Sequence, residues 1–298
     1  MSENDGFETI AREIAAQLGG ECAPEPQSAV SGGSMHRSYR WRCGEGLIFV
    51  KVADPGNGAG LQAEATGLLT LAAARAVRIP RVVARGAAGS SAFLALEWIE
   101  SRPAGRAAEQ RLGEQLAAQH QVTAAQFGFG EDNFIGRTRQ PNGWVADWAE
   151  FFRERRLRHQ LALAAQNGYA ELLEKPGARL LESIGALLAG HRPQASLLHG
   201  DLWAGNWLAD VGHEPVIFDP AVYYGDREAD LAMTRLFGGF GRAFYDAYQS
   251  EAPLPAGHAV RAELYNLYHV LNHANLFGGG YARQARASID RLLAEVRG

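Results

Sequence analysis

The sequence predicts an α+β protein in two lobes: an N-terminal antiparallel sheet with a helix over residues 1–100, and a mainly helical part over residues 101–298. Three observations carry this expectation. Between Tyr39 and Leu96, β-rich runs alternate with glycine turns, as in an antiparallel meander. From Arg106 onward, apolar residues recur at helical spacing. Between those helices, short apolar strands bracket one polar motif, His199 to Asn206, and deliver a second, Asp219-Pro220.

The elements follow in order. Phe7, Ile10, Ile14 and Leu18 mark one face of a helix that stops at Gly19-Gly20. Tyr39, Trp41 and Cys43 alternate with Arg40 and Arg42, the pattern of a half-buried strand. Gly44-Glu45-Gly46 turns the chain into a second strand, Leu47 to Val52. A helix is expected over Leu61–Ala76, then strands over Arg81–Ala84 and Ala92–Leu96, giving a sheet of about five strands. Ser101 to Gly105 is a polar link and the domain boundary. Helices are expected over Ala107–Thr123, Trp144–Gln166 and Tyr169–Gly190, with a long polar loop over Gln126–Asn142. The charge run Arg153 to Arg158 reads as a solvated face. Ser196–Leu198, Trp207–Ala209 and Val216–Phe218 read as short strands. Asp226 and the acids after it suit a helix start, and could equally orient the neighbouring polar loop through backbone N–H groups. Helices then continue to Gly298, broken at Gly238-Gly239, Pro253–Pro255 and Gly278–Gly280. No internal repeat is present.

Composition limits the classes. The chain is 47% hydrophobic and 21% charged, so a packed core is expected rather than disorder. A formal net charge of −4 argues against a nucleic-acid binder. No apolar run is long enough to span a bilayer, and the acidic start lacks an apolar signal core, so a cytoplasmic protein is expected. The two cysteines, Cys22 and Cys43, make neither a disulfide framework nor a zinc site, and each reads as a buried inert thiol.

The polar motif carries the chemistry. His199-Gly200-Asp201-Leu202-Trp203-Ala204-Gly205-Asn206 matches the phosphoryl-transfer loop H-x-D-L-x-x-x-N, with a later aspartate, Asp219, that would hold magnesium. A carboxylate at Asp201 could take the proton of an attacking hydroxyl. The Asn206 amide oxygen and the Asp219 carboxylate are the hard ligands that Mg²⁺ prefers. Lys51 stands inside an apolar strand, where a lone lysine would ordinarily be an edge residue. Paired with Glu64 on the following helix, it would instead grip ATP phosphates. Gly32 and Gly33 form a turn that could let backbone N–H groups approach a phosphate, although most such turns are plain hairpins. Glu97, Trp98 and Ile99 precede the link and could read an adenine edge; a plain connector would look the same. His269 and His273 stand four apart on one helix, but without the glutamate of H-E-x-x-H they read as packed or pocket-lining histidines rather than a metal pair.

Taken together, these residues resemble the fructosamine kinase (ketosamine kinase) family, within the aminoglycoside-phosphotransferase and choline-kinase-like group. The resemblance is carried by Phe49-Val50-Lys51-Val52, Glu64, Glu97-Trp98-Ile99, Phe127-Gly128-Phe129, Asn133, Trp148, Phe151-Phe152 and Arg156-Leu157. It continues through the His199–Asn206 motif, Asp219-Pro220-Ala221, Tyr223-Tyr224-Gly225, Phe237-Gly238-Gly239-Phe240 and Leu271-Asn272-His273. It implies a protein-kinase-like fold and ATP- and Mg²⁺-dependent phosphorylation of the 3-hydroxyl of a ketosamine, free or protein-linked, in deglycation repair. By match, Asp201 is the base, Asn206 and Asp219 the magnesium ligands, Lys51 the phosphate contact and Glu97–Ile99 the adenine hinge. Trp203, Tyr224 and His273 are expected to line the substrate pocket. The stretch Ser31–Ser38 is a loose version of the family's phosphate-covering loop. Three alternatives stand beside this reading. One is a kinase of another small molecule, an aminoglycoside or a choline-like cation, whose pocket should be rich in acids or an aromatic cage. Another is a nucleotide-binding pseudokinase, against which the full set Lys51, Asp201, Asn206 and Asp219 argues. The third is a hydrolase, for which no G-x-S-x-G turn exists.

Overall fold

A computed structural model of the protein describes residues 3–30, 36–54, 56–89 and 91–297. In chain order the elements begin α1 (Glu3–Leu18), β1 (Ser28–Val30), β2 (Arg37–Cys43), β3 (Gly46–Ala53), α2 (Gly58–Ala74), β4 (Val82–Ala88), β5 (Ser91–Glu97) and β6 (Ser101–Arg102). There follow α3 (Arg106–Gln119), β7 (Thr123–Ala124), β8 (Asn133–Ile135), β9 (Thr138–Gln140), α4 (Trp148–Phe151), α5 (His159–Ala164) and α6 (Ala170–Leu187). The chain closes with β10 (Ala195–Leu198), β11 (Trp207–Asp210), β12 (Pro215–Ile217), β13 (Tyr223–Gly225), α7 (Glu228–Leu236), α8 (Arg242–Glu251), α9 (His258–Phe277) and α10 (Tyr281–Glu295). Two compact units result: Met1–Ala104 with Leu208–Pro220, and Gly105–Trp207 with Ala221–Gly298. The stretch that ends at Asp219-Pro220 therefore groups with the N-terminal unit, whereas the sequence reading places it in the C-terminal one. Among the described residues no helix is long and apolar enough to cross a membrane.

The first unit is built on a five-stranded antiparallel sheet in the order β1-β2-β3-β5-β4. Its register sets Tyr39 opposite Val50 and Trp41 opposite Ile48, so these apolar side chains share one face. On that face α1 lays Phe7, Ile10 and Ile14, and the Phe7 ring meets Tyr39 edge-on at 5.1 Å and Trp41 at 5.6 Å. Burying each such side chain stabilises the unit by about 1.5–3 kcal/mol. Trp41 is fully buried and its Nε1–H donates to the Ala23 carbonyl at 2.7 Å, so its polar atom is satisfied. Because Val50 and Val52 lie in this core, the period of two turns Lys51 to the other face of the sheet.

Cys22 and Cys43 are joined by a disulfide, which corrects the reading of two inert thiols. They face each other across an antiparallel bridge with Cα atoms 4.0 Å apart, flanked by Ala23 N–H donating to Arg42 O and Gly44 N–H donating to Glu21 O. Twenty-one positions separate them along the chain, and only the pairing of residues 22–23 with the end of β2 brings them together.

The second unit packs α4 to α7, α9 and α10 around Trp148, Phe151, Phe152, Leu180, Leu264 and Ile289, while α3 packs against α8. Here the expected helix over 144–166 starts at Trp148, where the Asp147 side chain accepts the Glu150 N–H at 2.7 Å. It then widens into π-helical turns over Phe152–Arg158 and Ala165–Tyr169. The charge run is not a solvated face throughout. Arg156 is fully buried, donating to Pro141 O at 2.6 Å and Asn142 Oδ1 at 2.8 Å, with its guanidinium over the rings of Tyr223 (4.1 Å) and Phe151 (4.6 Å). The expected loop over 126–142 contains the hairpin β8–β9, and its polar residues have a task. Asn133 Nδ2 donates to Val222 O at 2.7 Å and Gln140 Nε2 to Ala221 O at 3.1 Å, fixing the backbone just after Pro220.

Candidate active site

In the first unit, Lys51 Nζ lies 2.8 Å from Glu64 Oε1 and also forms an ion pair with Asp219 Oδ1. Three residues from three elements of sequence thus meet at one ammonium. Lys51 is only 6% exposed, so its charge persists because it is doubly paired. Burial pulls the Lys51 ammonium down, but the Asp219 and Glu64 carboxylates outweigh it and hold it above the ordinary lysine range. Burial likewise lifts Glu64 to about 7, against the pull of Lys51. Asp219 sits at φ +55°, a left-handed conformation uncommon outside glycine and tolerated by aspartate. That strain of about 1–3 kcal/mol aims its carboxylate at Lys51. His36, which the sequence reading passed over, feels the charges of Lys51 and Asp219; burial pulls its imidazole below the ordinary value, and Lys51 adds to that effect.

Also in this unit, Glu97 pairs with Arg78 at 3.2 Å, while Trp98 and Ile99 line a pocket of about 450 Å³ with Glu100, Arg102 and Val211. Arg40 closes one wall, its guanidinium 5.3 Å from the Trp98 ring centre. Gly32 and Gly33 lie outside the described residues.

In the second unit, β10 pairs with β13 and β7 and ends at Leu198, so His199 to Asn206 emerge from a fully buried strand. Gly200 has φ +83°, and a Cβ there would stand 2.0 Å from the Ala221 carbonyl oxygen; only glycine fits the H-G-D turn. Asp201 N–H faces His199 Nδ1 at 3.3 Å. Asn206 Nδ2 donates to Asp201 O at 2.8 Å and to its carboxylate Oδ2 at 3.3 Å, which joins the two predicted residues directly. Trp203 is 39% exposed and its ring lies over Gly205, where a Cβ would come within 2.2 Å of it. Tyr224 stacks obliquely on Trp144 at 5.8 Å, and His273 faces the ring of Phe237 at 4.9 Å.

What orients this loop is Asp230, one of the acids after Asp226 that the sequence offered for that part. Asp230 is 1% exposed; its Oδ2 accepts His199 N–H at 2.7 Å and its Oδ1 accepts Gly200 N–H at 2.8 Å. His120 Nε2 stands 3.2 Å from Oδ2, and its Nδ1 meets Tyr248 OH at 2.8 Å. Burial alone would raise the Asp230 carboxyl, yet His120 and the backbone donors hold it below the ordinary range. Asp226 instead caps α7 by accepting Glu228 N–H at 3.1 Å, and it takes the Tyr265 hydroxyl and His191 at 2.6 Å each.

A lysine fixed by a helix glutamate is what a phosphate-gripping sheet requires, and a carboxylate on a braced loop is what an attacking hydroxyl requires. The class is that of the kinase-like phosphotransferases. Comparison with known proteins narrows it. The family model described as fructosamine kinase matches residues 6–295. A Synechocystis protein named as a probable ketoamine kinase is 44% identical over 288 residues, covering 96% of this chain and 97% of the relative. The chloroplastic protein-ribulosamine 3-kinase of Arabidopsis thaliana is 38% identical over 272 residues, covering 90% and 83%. The crystal structure of a candidate fructosamine-3-kinase from Haemophilus somnus superposes with a TM-score of 0.87 at 28% identity, covering 95% and 96%. The chain belongs to the fructosamine kinase family.

Proposed function

We propose that this protein transfers the γ-phosphoryl group of ATP to a sugar hydroxyl of a ketosamine, at the 3-position, and so serves deglycation. The observation that carries the reading is Lys51, buried and held by both Glu64 and Asp219. It is supported by the names of relatives at about 40% identity, a ketoamine kinase and a ribulosamine kinase.

The residues take the following parts. Asp201 accepts the proton of the attacking hydroxyl as its oxygen bonds to the γ-phosphorus and the bond to the ADP oxygen breaks. Lys51 neutralises phosphate charge, and Glu64 keeps that ammonium from wandering. Glu97, Trp98 and Ile99 receive the adenine edge beside Arg40. Gly32 and Gly33 offer backbone N–H groups to phosphate. Asn206 and Asp219 supply an amide and a carboxylate oxygen, a donor set suited to Mg²⁺. When bound, that cation offsets the charge that builds on the transferred phosphoryl group. Trp203, Tyr224 and His273 line the acceptor side. Catalysis on this account is mostly positioning and charge neutralisation.

The test is direct. Purified protein with Mg-ATP is offered a fructosamine, a ribulosamine, choline and an aminoglycoside; ADP release and ³¹P NMR of the product are followed. Phosphorylation of a ketosamine, lost in Asp201→Asn with ATP binding retained, is expected. Turnover of choline or the aminoglycoside alone, or no turnover of any acceptor, would overturn the reading.

A further inference from the structure

The strands β11 and β12 form a hairpin that leads the chain to Asp219, and one arginine outside it holds both of its ends. Arg78 lies between α2 and β4. Its backbone forms a parallel bridge with Val216, and its carbonyl accepts the Ile217 N–H at 3.1 Å, two residues before Asp219. Its side chain runs to the other end of the hairpin. There Nη1 donates to Asp210 Oδ2, and Nη2 donates to Glu97 Oε1 at 3.2 Å. Asp210 uses its second oxygen to close the turn, where Oδ1 accepts Gly212 N–H at 2.8 Å and Glu214 N–H at 2.9 Å.

A planar guanidinium can serve two carboxylates at once. Without it, Asp210 on the hairpin and Glu97 at the end of β5 would face each other as like charges, which pushes the turn away from the sheet. Arg78 is 39% exposed, and an ion pair this open to solvent adds little to stability. The effect of the tether therefore lies in where the hairpin sits, not in whether the chain folds. Asp219 is the residue that depends on it. β12 is a three-residue edge strand, and its outer side meets the chain at Arg78. Asp219 then adopts φ +55°, a conformation that persists only where the surroundings impose it.

We infer that Arg78 is a positioning residue: by clamping the β11–β12 hairpin at both ends, and to the end of β5, it sets where the Asp219 carboxylate stands for the cation of the nucleotide. The inference rests on the proposed phosphotransfer reading, in which Asp219 is a ligand of Mg²⁺. It gives Arg78 no contact with nucleotide or acceptor. The base side of the hairpin is held differently, by backbone bonds alone. Val211 N–H donates to Glu100 O at 3.1 Å, and Ala209 and Asp210 pair with Arg102 and Ser101. Loss of the Arg78 side chain should thus disturb the cation and spare the base.

The experiment measures ADP binding by calorimetry, once with Mg²⁺ and once with EDTA, so the metal's share is read without turnover. The readout is the ratio of the two dissociation constants. Arg78→Ala should lower that ratio about three- to tenfold, while adenosine binding stays within about twofold. With a ketosamine and saturating Mg-ATP, kcat should fall about tenfold, a part of the roughly 100-fold that a misplacement of about 1 Å costs. Tm should fall by less than about 4 °C. Asp210→Asn, whose Oδ1 still closes the turn, should reproduce most of the loss. The double variant Arg78→Ala/Asp210→Asn should be no worse than Arg78→Ala, because both changes break one pair. An unchanged ratio in Arg78→Ala, equal weakening of adenosine and Mg-ADP, or losses that add in the double variant would overturn the inference. So would a wild type on which Mg²⁺ does not tighten ADP. A wild type that binds Mg-ADP as described yet phosphorylates no ketosamine would leave Arg78 in its role and remove the acceptor reading instead.

Discussion

Replacing Asp230 with asparagine changes no shape and removes one charge, which makes it a sharp probe of how the loop bearing Asp201 is held. Asp230 accepts two backbone N–H bonds, from His199 at 2.7 Å and Gly200 at 2.8 Å, one on each carboxylate oxygen. An amide has one oxygen only. Whichever way it turns, its NH₂ group must face a backbone N–H that then has no acceptor, and the contact to His120 loses its charge. Hydrogen bonds to charged groups contribute about 1.5–3 kcal/mol, and a buried unsatisfied donor costs about 1–3 kcal/mol, so a net loss of about 2–4 kcal/mol is expected. For a chain of this size each kcal/mol lowers Tm by about 2–4 °C, so the melt should fall by roughly 5–15 °C. The same change frees the turn that carries Asp201. A misplacement of about 1 Å costs about 10²-fold in rate, so kcat should drop by that order while KM for ATP holds. Thermal melts by circular dichroism and initial rates of ADP release measure both quantities. A variant within about 0.5 kcal/mol of wild type in stability, with unchanged kcat, would refute Asp230 as the brace of the loop.

Further outcomes are expected. Lys51→Met removes the only cation between Glu64 and Asp219 described at that point, and kcat/KM for ATP should fall at least about 100-fold; a smaller loss would remove Lys51 from the phosphate site. Reduction of Cys22–Cys43, which closes a 21-residue separation, should destabilise the protein by about 3 kcal/mol. Denaturant melts with and without dithiothreitol measure it, and Cys22→Ala/Cys43→Ala should melt identically in both; two titratable thiols in unreduced, denatured wild type would contradict the bond. The fourth outcome concerns acid. Burial first, then His273, holds His269 at about 3, with Asp230 opposing and Arg156 assisting. The unfolded chain, with an ordinary histidine near 6.5, binds the extra proton first, so stability is full above pH 6.5 and falls as pH drops toward 3. His269→Gln should flatten that decline by about 1.4 kcal/mol per pH unit between pH 6 and 5, read from denaturant melts of both proteins. Parallel curves would mean that His269 is not shielded as described.

How much of this was legible in the sequence depended on how local the cause was. The alternation of Tyr39 and Trp41 and the helical spacing of Phe7, Ile10 and Ile14 are local patterns, and both faces form as expected. The pairing of Lys51 with Glu64 was readable because a lysine inside an apolar strand needs a carboxylate partner and the following helix offers one. What escaped depended on distant partners. Nothing near Arg156 announces that Tyr223, Tyr268 and Asn142 enclose it, and a π-helical turn shifts its facing away from a simple helical wheel. Asp226 and Asp230 are both plausible loop braces in sequence; the two-strand register of β10 with β13 decides which carboxylate meets His199. The Cys22–Cys43 bond escaped for a similar reason, since two cysteines in a long chain carry no spacing signature.

The return of residues 208–220 to the N-terminal unit has a genetic consequence. The β12-β11-β6 sheet joins strands more than a hundred positions apart, and Asp219 reaches Lys51 from the far half of the gene. A fragment ending at residue 104 would leave β6 without its neighbour β11 and Lys51 with Glu64 as its sole carboxylate of the pair described here. This lobe cannot be spliced out and shuffled as one contiguous cassette; any recombination that exchanges it must carry both pieces together.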